Sequence, residues 1–295
     1  MTELTLAVTI DESYVPHCAA MLSSVFRNNP GRLTIYLLHQ GLSSQSKRRL
    51  DRLCRIRGHQ LVSITVDDSV LAGAPVNYHI SLATYYRILL PALLPVTLEK
   101  VLFLDADLIV RSALKPFWDT PLTGFALAAA IAAGMDDYPQ QILLPAGTNY
   151  FNAGVMLINL DYWRNADLLN RCLQILNQEP HRVRWWDQDL LNIVFEGKWR
   201  AVDLKWNAQP FLFDGLAAAS PELLQKYLAM GAEAAAADPI IMHYAGGDKP
   251  WHLNCRLPFA GEYAVYLGDT PWRPGLRTTI FKILKKLRDY VKKAR

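Results

Sequence analysis

Phe103-Leu104-Asp105-Ala106-Asp107 sets two carboxylates one residue apart where an apolar run ends. In extended backbone, positions i and i+2 project to the same side, so both carboxylates can reach one divalent cation. Two solvated loop acids fit the same pattern, because a D-x-D arises by chance about once in a chain of this length. Further on, His243 closes the apolar run Pro239 to Met242 and is followed by Gly246, Gly247 and Lys249. A histidine at a strand end is often only a core or edge residue. Exposed backbone N–H groups and an ammonium next to it are, however, what a diphosphate needs.

The elements that must position these groups are written in the first hundred residues. Runs rich in Val, Ile and Thr alternate there with helical patterns, as in βα units around a parallel sheet. Strands are expected at Leu4 to Ile10, Leu33 to Leu38, Leu61 to Val66 and Lys100 to Leu104. Helices are expected at Tyr14 to Arg27, at Ser43 to Arg57 with Gly58 as its cap, and at Ser81 to Leu93. Ligands of such folds sit at the carboxyl ends of the strands, where Asp11 and Asp105 fall. No G-x-G-x-x-G follows the first strand and no Walker loop occurs, so the usual dinucleotide and P-loop phosphate cradles are missing.

Composition narrows the class further. With 295 residues, 51% hydrophobic and 20% charged, the chain is neither disordered, collagen-like nor a disulfide-stapled mini-protein. Cys18, Cys54, Cys172 and Cys255 are scattered without a C-x-x-C pair, which fits a reducing cytosol. The N-terminus lacks the basic region of a signal peptide, and the apolar stretch Phe125 to Met135 is far short of the roughly 18 residues a spanning helix needs. There is no internal repeat.

Net charge is +4, but it is unevenly spread: residues 273–295 carry nine Lys or Arg and one acid, Asp289. The rest of the chain is therefore net acidic, and a nucleic-acid-binding body is not expected. Pro271, Pro274 and Gly275 mark a boundary, giving a catalytic domain over 1–270 and a tail over 271–295. In the tail, Leu276, Ile280, Ile283, Leu284, Leu287 and Val291 form one apolar stripe, and Lys282, Lys285, Lys286, Lys292 and Lys293 gather opposite it. This reads as a basic amphipathic helix lying on an anionic membrane surface, which would place the protein in the cytoplasm at the inner face of the cell membrane. A helix docked on the catalytic domain is the alternative.

Further motifs put the two carboxylates in context. Tyr150-Phe151-Asn152-Ala153-Gly154-Val155-Met156-Leu157-Ile158-Asn159-Leu160 reads as a polar-small turn running into a strand. Trp186-Asp187-Gln188-Asp189-Leu190-Leu191-Asn192 and His243-Tyr244-Ala245-Gly246-Gly247-Asp248-Lys249-Pro250-Trp251 come after it, and His79-Ile80-Ser81 and Arg87 before it. In this order, over Leu4 to Cys255, they resemble the retaining glycosyltransferases of family 8, and among these the bacterial lipopolysaccharide α-galactosyl- and α-glucosyltransferases. The resemblance implies a GT-A fold, a Rossmann-like mixed α/β sheet that binds a nucleotide sugar. It also implies a UDP-hexose donor (galactose or glucose), a glycan or lipid-linked glycan acceptor, and Mn²⁺, with Mg²⁺ also possible.

Residue roles follow from the same resemblance. Asp105, Asp107 and His243 would hold the metal, and one imidazole with two carboxylates suits Mn²⁺ better than Mg²⁺. Thr9, Asp11 and Ser13 map to the uridine and ribose, where many relatives have Asn in place of Ser13. His79, Ala106, Gly246, Gly247 and Lys249 map to the diphosphate side. Arg87, otherwise a surface ion pair on its helix, would contact the donor sugar and orient Asp105, a double task that suits a guanidinium fork. Asn152, Asp187 and Gln188 map to the sugar hydroxyls, each of which both donates and accepts. Gln188 also takes the face where retaining glycosidases carry a carboxylate nucleophile. An amide is a weak nucleophile, so front-face attack stands beside double displacement.

The acceptor does not carry over. After the strand Phe125 to Ile131, galactosyltransferase-type relatives have an acceptor-contacting Asp where this chain has Ala132. Trp185 and Trp186 fit either a sugar-stacking surface or the core. Two other functions compete: an aspartate phosphohydrolase, whose D-x-D would continue with Gly or Thr rather than Leu108, and a non-catalytic membrane-surface module.

Overall fold

The computed structural model describes residues 4–76 and 81–275. His79 and residues 276–295, which include most of the expected tail helix, lie outside the described residues.

Nine strands run in chain order as β1 (Leu4–Thr9), β2 (Leu33–His39), β3 (Gln60–Thr65), β4 (Lys100–Leu104), β5 (Leu108–Val110), β6 (Leu127–Ile131), β7 (Phe151–Asn159), β8 (Trp199–Ala201) and β9 (Ile241–His243) among the described residues. Seven form one sheet in the order β3-β2-β1-β4-β7-β6-β8, and β5 pairs with β9 in a separate ribbon. The half from β3 to β4 is parallel. β7 then runs antiparallel to both β4 and β6, so the sheet is mixed.

Period-two alternation explains why both faces are covered. On β4, Leu102 and Leu104 enter one core while Val101 and Phe103 enter the other. The first core is closed by α1 (Val15–Asn28), whose Cys18, Met21, Leu22 and Val25 are completely or almost completely buried, and by α2 (Ser44–Ile56) through Leu50, Leu53 and Cys54. Ser43 caps α2 by accepting from Ser46 N at 3.1 Å. Glu12, in the turn after β1, in turn accepts from Ser43 N at 2.9 Å and Ser46 Oγ at 2.6 Å. The start of α2 is thereby tied to the loop that follows β1.

The expected strands and helices of the first hundred residues are present to within two residues, with one change of winding. Leu82–Leu89 is a 3₁₀ helix, followed by a single α-helical turn, Leu90–Leu93. Thr84, Tyr85 and Tyr86 are weak α-formers, and Pro91 has no N–H for an i→i−4 bond, so the segment winds tighter. The expected turn at Tyr150 is shorter than its composition suggests. β7 begins at Phe151, where the Asn192 side chain accepts from Phe151 N at 2.9 Å and donates to Phe151 O at 3.0 Å. No helix among the described residues is long and apolar enough to cross a membrane.

Candidate metal centre and donor crevice

Asp105 directly follows β4, Asp107 directly precedes β5, and His243 is the last residue of β9. The antiparallel ribbon sets Leu108 opposite His243, and Tyr244 N donates to Asp107 O at 3.0 Å. Each of the three residues offers a ligand atom, all within 4.8 Å of one another. His243 Nε2 lies 3.3 Å from Asp107 Oδ1 and 3.8 Å from Asp105 Oδ2. Its Nδ1 lies 2.9 Å from Asn207 Oδ1, while Asn207 Nδ2 donates to Asn152 Oδ1 at 2.9 Å. The Asn207 oxygen must therefore accept, so Nδ1 carries a proton and the ring is held with Nε2 facing the two carboxylates.

This donor set fits a divalent cation, and the backbone makes room for it. A Cβ on Gly154, in β7, would lie 2.2 Å from His243 Cε1 and 2.6 Å from Asp105 Oδ2. Only glycine lets that strand pass so close, and its carbonyl accepts from Asp105 N at 2.8 Å. Lys249 donates to Asp107 Oδ2 and to Tyr244 O. Burial opposes the Asp107 charge, yet Lys249 and His243 outweigh it and hold the carboxyl below the usual range.

Arg87, 5% exposed, joins the candidate metal centre to Asp187. Its Nη2 pairs with Asp105 Oδ1 at 2.8 Å, its Nε with Asp187 Oδ2 at 2.9 Å, and its Nη1 donates to Ala153 O at 2.6 Å. Burial works against the guanidinium charge, but Asp105 and then Asp187 more than restore it. Asp187 also accepts from Thr84 Oγ1 at 2.5 Å. Burial raises its carboxyl to about 6 despite the opposing pull of Arg87.

Gln188 lies one residue beyond Asp187, on α3 (Trp186–Val194). Trp186, where that helix starts, has φ of 50°, a left-handed conformation that strains a bulky side chain. Gln188 Oε1 accepts from Asn152 Nδ2 and Ala153 N, each at 3.0 Å.

A crevice of about 130 Å³ opens beside the candidate metal ligands, lined by Thr9, Asp11, Tyr14, Ser81, Thr84, Arg87, Asp105, Ala106 and Asp107. Asp11 accepts from Ser13 N at 2.9 Å and Ser81 Oγ at 3.0 Å, linking the β1 loop to the 3₁₀ segment. Ser13 itself does not line the crevice, and its hydroxyl is turned onto Asp11 at 2.5 Å. Gly246 and Gly247 are exposed on the loop after β9, with Gly246 at φ of 85°. Of the other expected residues, Ala132 is buried, Trp186 packs against the core and Trp185 is 46% exposed.

Sequence reasoning missed Asn207, Thr84 and the role of Asp189. Asn207 stands between Trp206 and Ala208 and is fully buried, and its sequence neighbours do not say what its amide bonds to. A polar residue inside the otherwise apolar Trp206-Asn207-Ala208 stretch was the one available signal.

A mixed α/β sheet whose strand ends bring a D-x-D pair and a histidine together beside a crevice is the arrangement of a GT-A fold. The family model "Glycosyl transferase family 8" matches residues 5–255. The chain therefore belongs to glycosyltransferase family 8. It is 27% identical to General stress protein A of Bacillus subtilis, over 89% of this chain and 92% of that protein. It is 26% identical to the lipopolysaccharide 1,3-galactosyltransferase of Salmonella typhimurium, over 92% of this chain and 79% of that one. Among solved structures it is similar to the galactosyltransferase LgtC in complex with donor and acceptor sugar analogs. That likeness has a TM-score of 0.82 and 29% identity, covering 92% of this chain and 98% of LgtC. Membership sets aside the phosphohydrolase alternative.

Proposed function

We propose that the protein is a metal-dependent retaining hexosyltransferase that moves galactose or glucose from a UDP-sugar to a hydroxyl of a lipopolysaccharide or other glycan. The observation that carries this reading is the meeting of Asp105, Asp107 and His243 with Arg87 and Asp187 at the strand ends of a family 8 fold. Asp105, Asp107 and His243 would hold the cation, Mn²⁺ by its donor set, whose charge stabilises the leaving diphosphate. Lys249 and the backbone of Gly246 and Gly247 bind phosphate oxygens, with His79 and Ala106 on the same side. Thr9 and Asp11 take the nucleoside, and Ser13 acts only through its bond to Asp11. Arg87 orients Asp105 and Asp187, and Asn152, Asp187 and Gln188 hold the sugar.

Retention is assigned to front-face attack. Asp187 is engaged by Arg87 and Thr84, and Asp189 is fully buried and filled by donors, which supports a reaction without a carboxylate nucleophile. The acceptor oxygen bonds to the anomeric carbon as the bond from that carbon to the diphosphate breaks, and the acceptor proton passes to the departing phosphate oxygen. The test is Mn²⁺-dependent release of UDP from UDP-galactose, UDP-glucose and UDP-N-acetylglucosamine. Absence of binding and turnover with every donor and metal overturns the reading. We further propose that the tail over 271–295 lies on an anionic cytoplasmic membrane surface and brings the site to lipid-linked acceptors.

A further inference from the structure

A side-chain amide both donates and accepts, so hydrogen bonds between amides usually leave their direction open. Around Gln188 the direction is fixed. His243 Nδ1 bonds Asn207 Oδ1 at 2.9 Å, and Asn207 Nδ2 donates to Asn152 Oδ1 at 2.9 Å. Asn152 Nδ2 donates to Gln188 Oε1 at 3.0 Å, and Gln188 Nε2 donates to the Tyr150 hydroxyl oxygen at 3.2 Å. The Tyr150 hydroxyl in turn donates to Asp189 Oδ1 at 2.5 Å. Two backbone N–H groups, which only donate, pin the middle amides: Gly154 N on Asn152 Oδ1 and Ala153 N on Gln188 Oε1, both at 3.0 Å.

Asp189 ends this chain and is fully buried. Its Oδ2 accepts from the Tyr138 hydroxyl at 2.8 Å, Arg184 N at 2.7 Å and Trp185 N at 2.6 Å. A carboxylate accepts only, so Tyr150 must give it its proton and keeps lone pairs for Gln188. Burial, and then the Asp189 charge, raise the Tyr150 hydroxyl well above the usual phenol range, so that proton stays in place.

We infer that Asp189 is a positioning residue that, through Tyr150, locks the Gln188 amide with its oxygen committed to Asn152 and Ala153. Both lone pairs of that oxygen are then used, and Gln188 offers N–H rather than C=O to any further partner. The inference deepens the proposed function, because it rests on Gln188 serving hexosyl transfer.

Tyr150→Phe removes one oxygen from the chain and is the mild variant; Asp189→Asn removes the acceptor-only end. Both are measured for kcat and donor KM in Mn²⁺-dependent UDP release, alone and combined with Gln188→Ala, with thermal unfolding checking the fold. Selective ¹⁵N-glutamine labelling follows the Gln188 side-chain amide signal, assigned by its loss in Gln188→Ala. We expect Tyr150→Phe to lower kcat about 10- to 100-fold, as loss of an orienting partner does. Donor KM should stay within about twofold, and the Gln188 amide signal should move. In the Gln188→Ala background the same substitution should cost less than about twofold. An undiminished loss in that background, or a Gln188 signal unmoved by Tyr150→Phe, overturns the inference. Wild-type turnover by Gln188→Ala would instead overturn the role of Gln188 in the proposed function, and the amide signal then decides the chain alone.

Discussion

Asp105, Asp107 and His243 each offer one atom to a cation, and no other group of three or more such side chains lies together among the described residues. Asp105→Asn, Asp107→Asn and His243→Ala should each weaken metal-dependent donor binding and cut turnover by at least about a hundredfold, the scale of losing a transition-state charge stabiliser. Titration calorimetry with Mn²⁺ and UDP checks the first effect, and near-wild-type behaviour in any two variants removes the site. Asp187 gives a pH prediction. Its carboxyl sits at about 6 in the folded chain against an ordinary 3.8, so the folded form holds a proton that the unfolded form has lost between those values. Stability from this residue therefore falls as pH rises from about 4 to about 6 and is level above. Denaturation of wild type and Asp187→Asn should show the wild type losing ground across that window; parallel profiles refute the assignment. At this scale the carboxylate pair and the post-strand histidine were legible because their spacing and flanks imply chemistry. Asn207 was not, because its role arises only where β7 and β9 bring Asn152 and His243 to it.

Among the elements, β7 does most to shape the site without supplying a ligand. The close approach at Gly154 gives a test that leaves every charge in place. Gly154→Ala should lower Mn²⁺ affinity at least about tenfold by pushing His243 and Asp105 apart, while far-UV circular dichroism stays native. Unchanged metal binding would show that the neighbours yield to the methyl group. The βα units of the first half were readable, since hydrophobic period and turn residues act locally. The antiparallel insertion of β7 was not, because strand direction depends on partners far along the chain. β9 was legible as the apolar run before His243, but β5 has only three residues, too few to carry a period, so the pairing of the two was not. The 3₁₀ segment Leu82–Leu89 kept its expected position but not its winding, which Thr84, Tyr85, Tyr86 and Pro91 tighten locally.

The whole molecule joins a net acidic body to a cationic end. Deleting residues 273–295 should abolish salt-sensitive binding to vesicles containing anionic lipid while leaving donor hydrolysis largely intact. A truncated protein that unfolds, or that binds vesicles as the full chain does, makes the tail a structural element instead.

The β5–β9 ribbon also has a consequence for how the protein comes into being. It brings together partners that are far apart in the chain, and Lys249 meets Asp107 across 142 residues. Closing so long a loop costs entropy before any contact rewards it, so such pairings form late. During synthesis the crevice beside β1 and β4 can take shape while His243 and Lys249 are still to be made. On the proposed site, catalytic competence would therefore arrive with the last third of the chain, and a nascent or truncated protein ending before β9 would hold the D-x-D carboxylates with neither the imidazole nor the ammonium that meets Asp107.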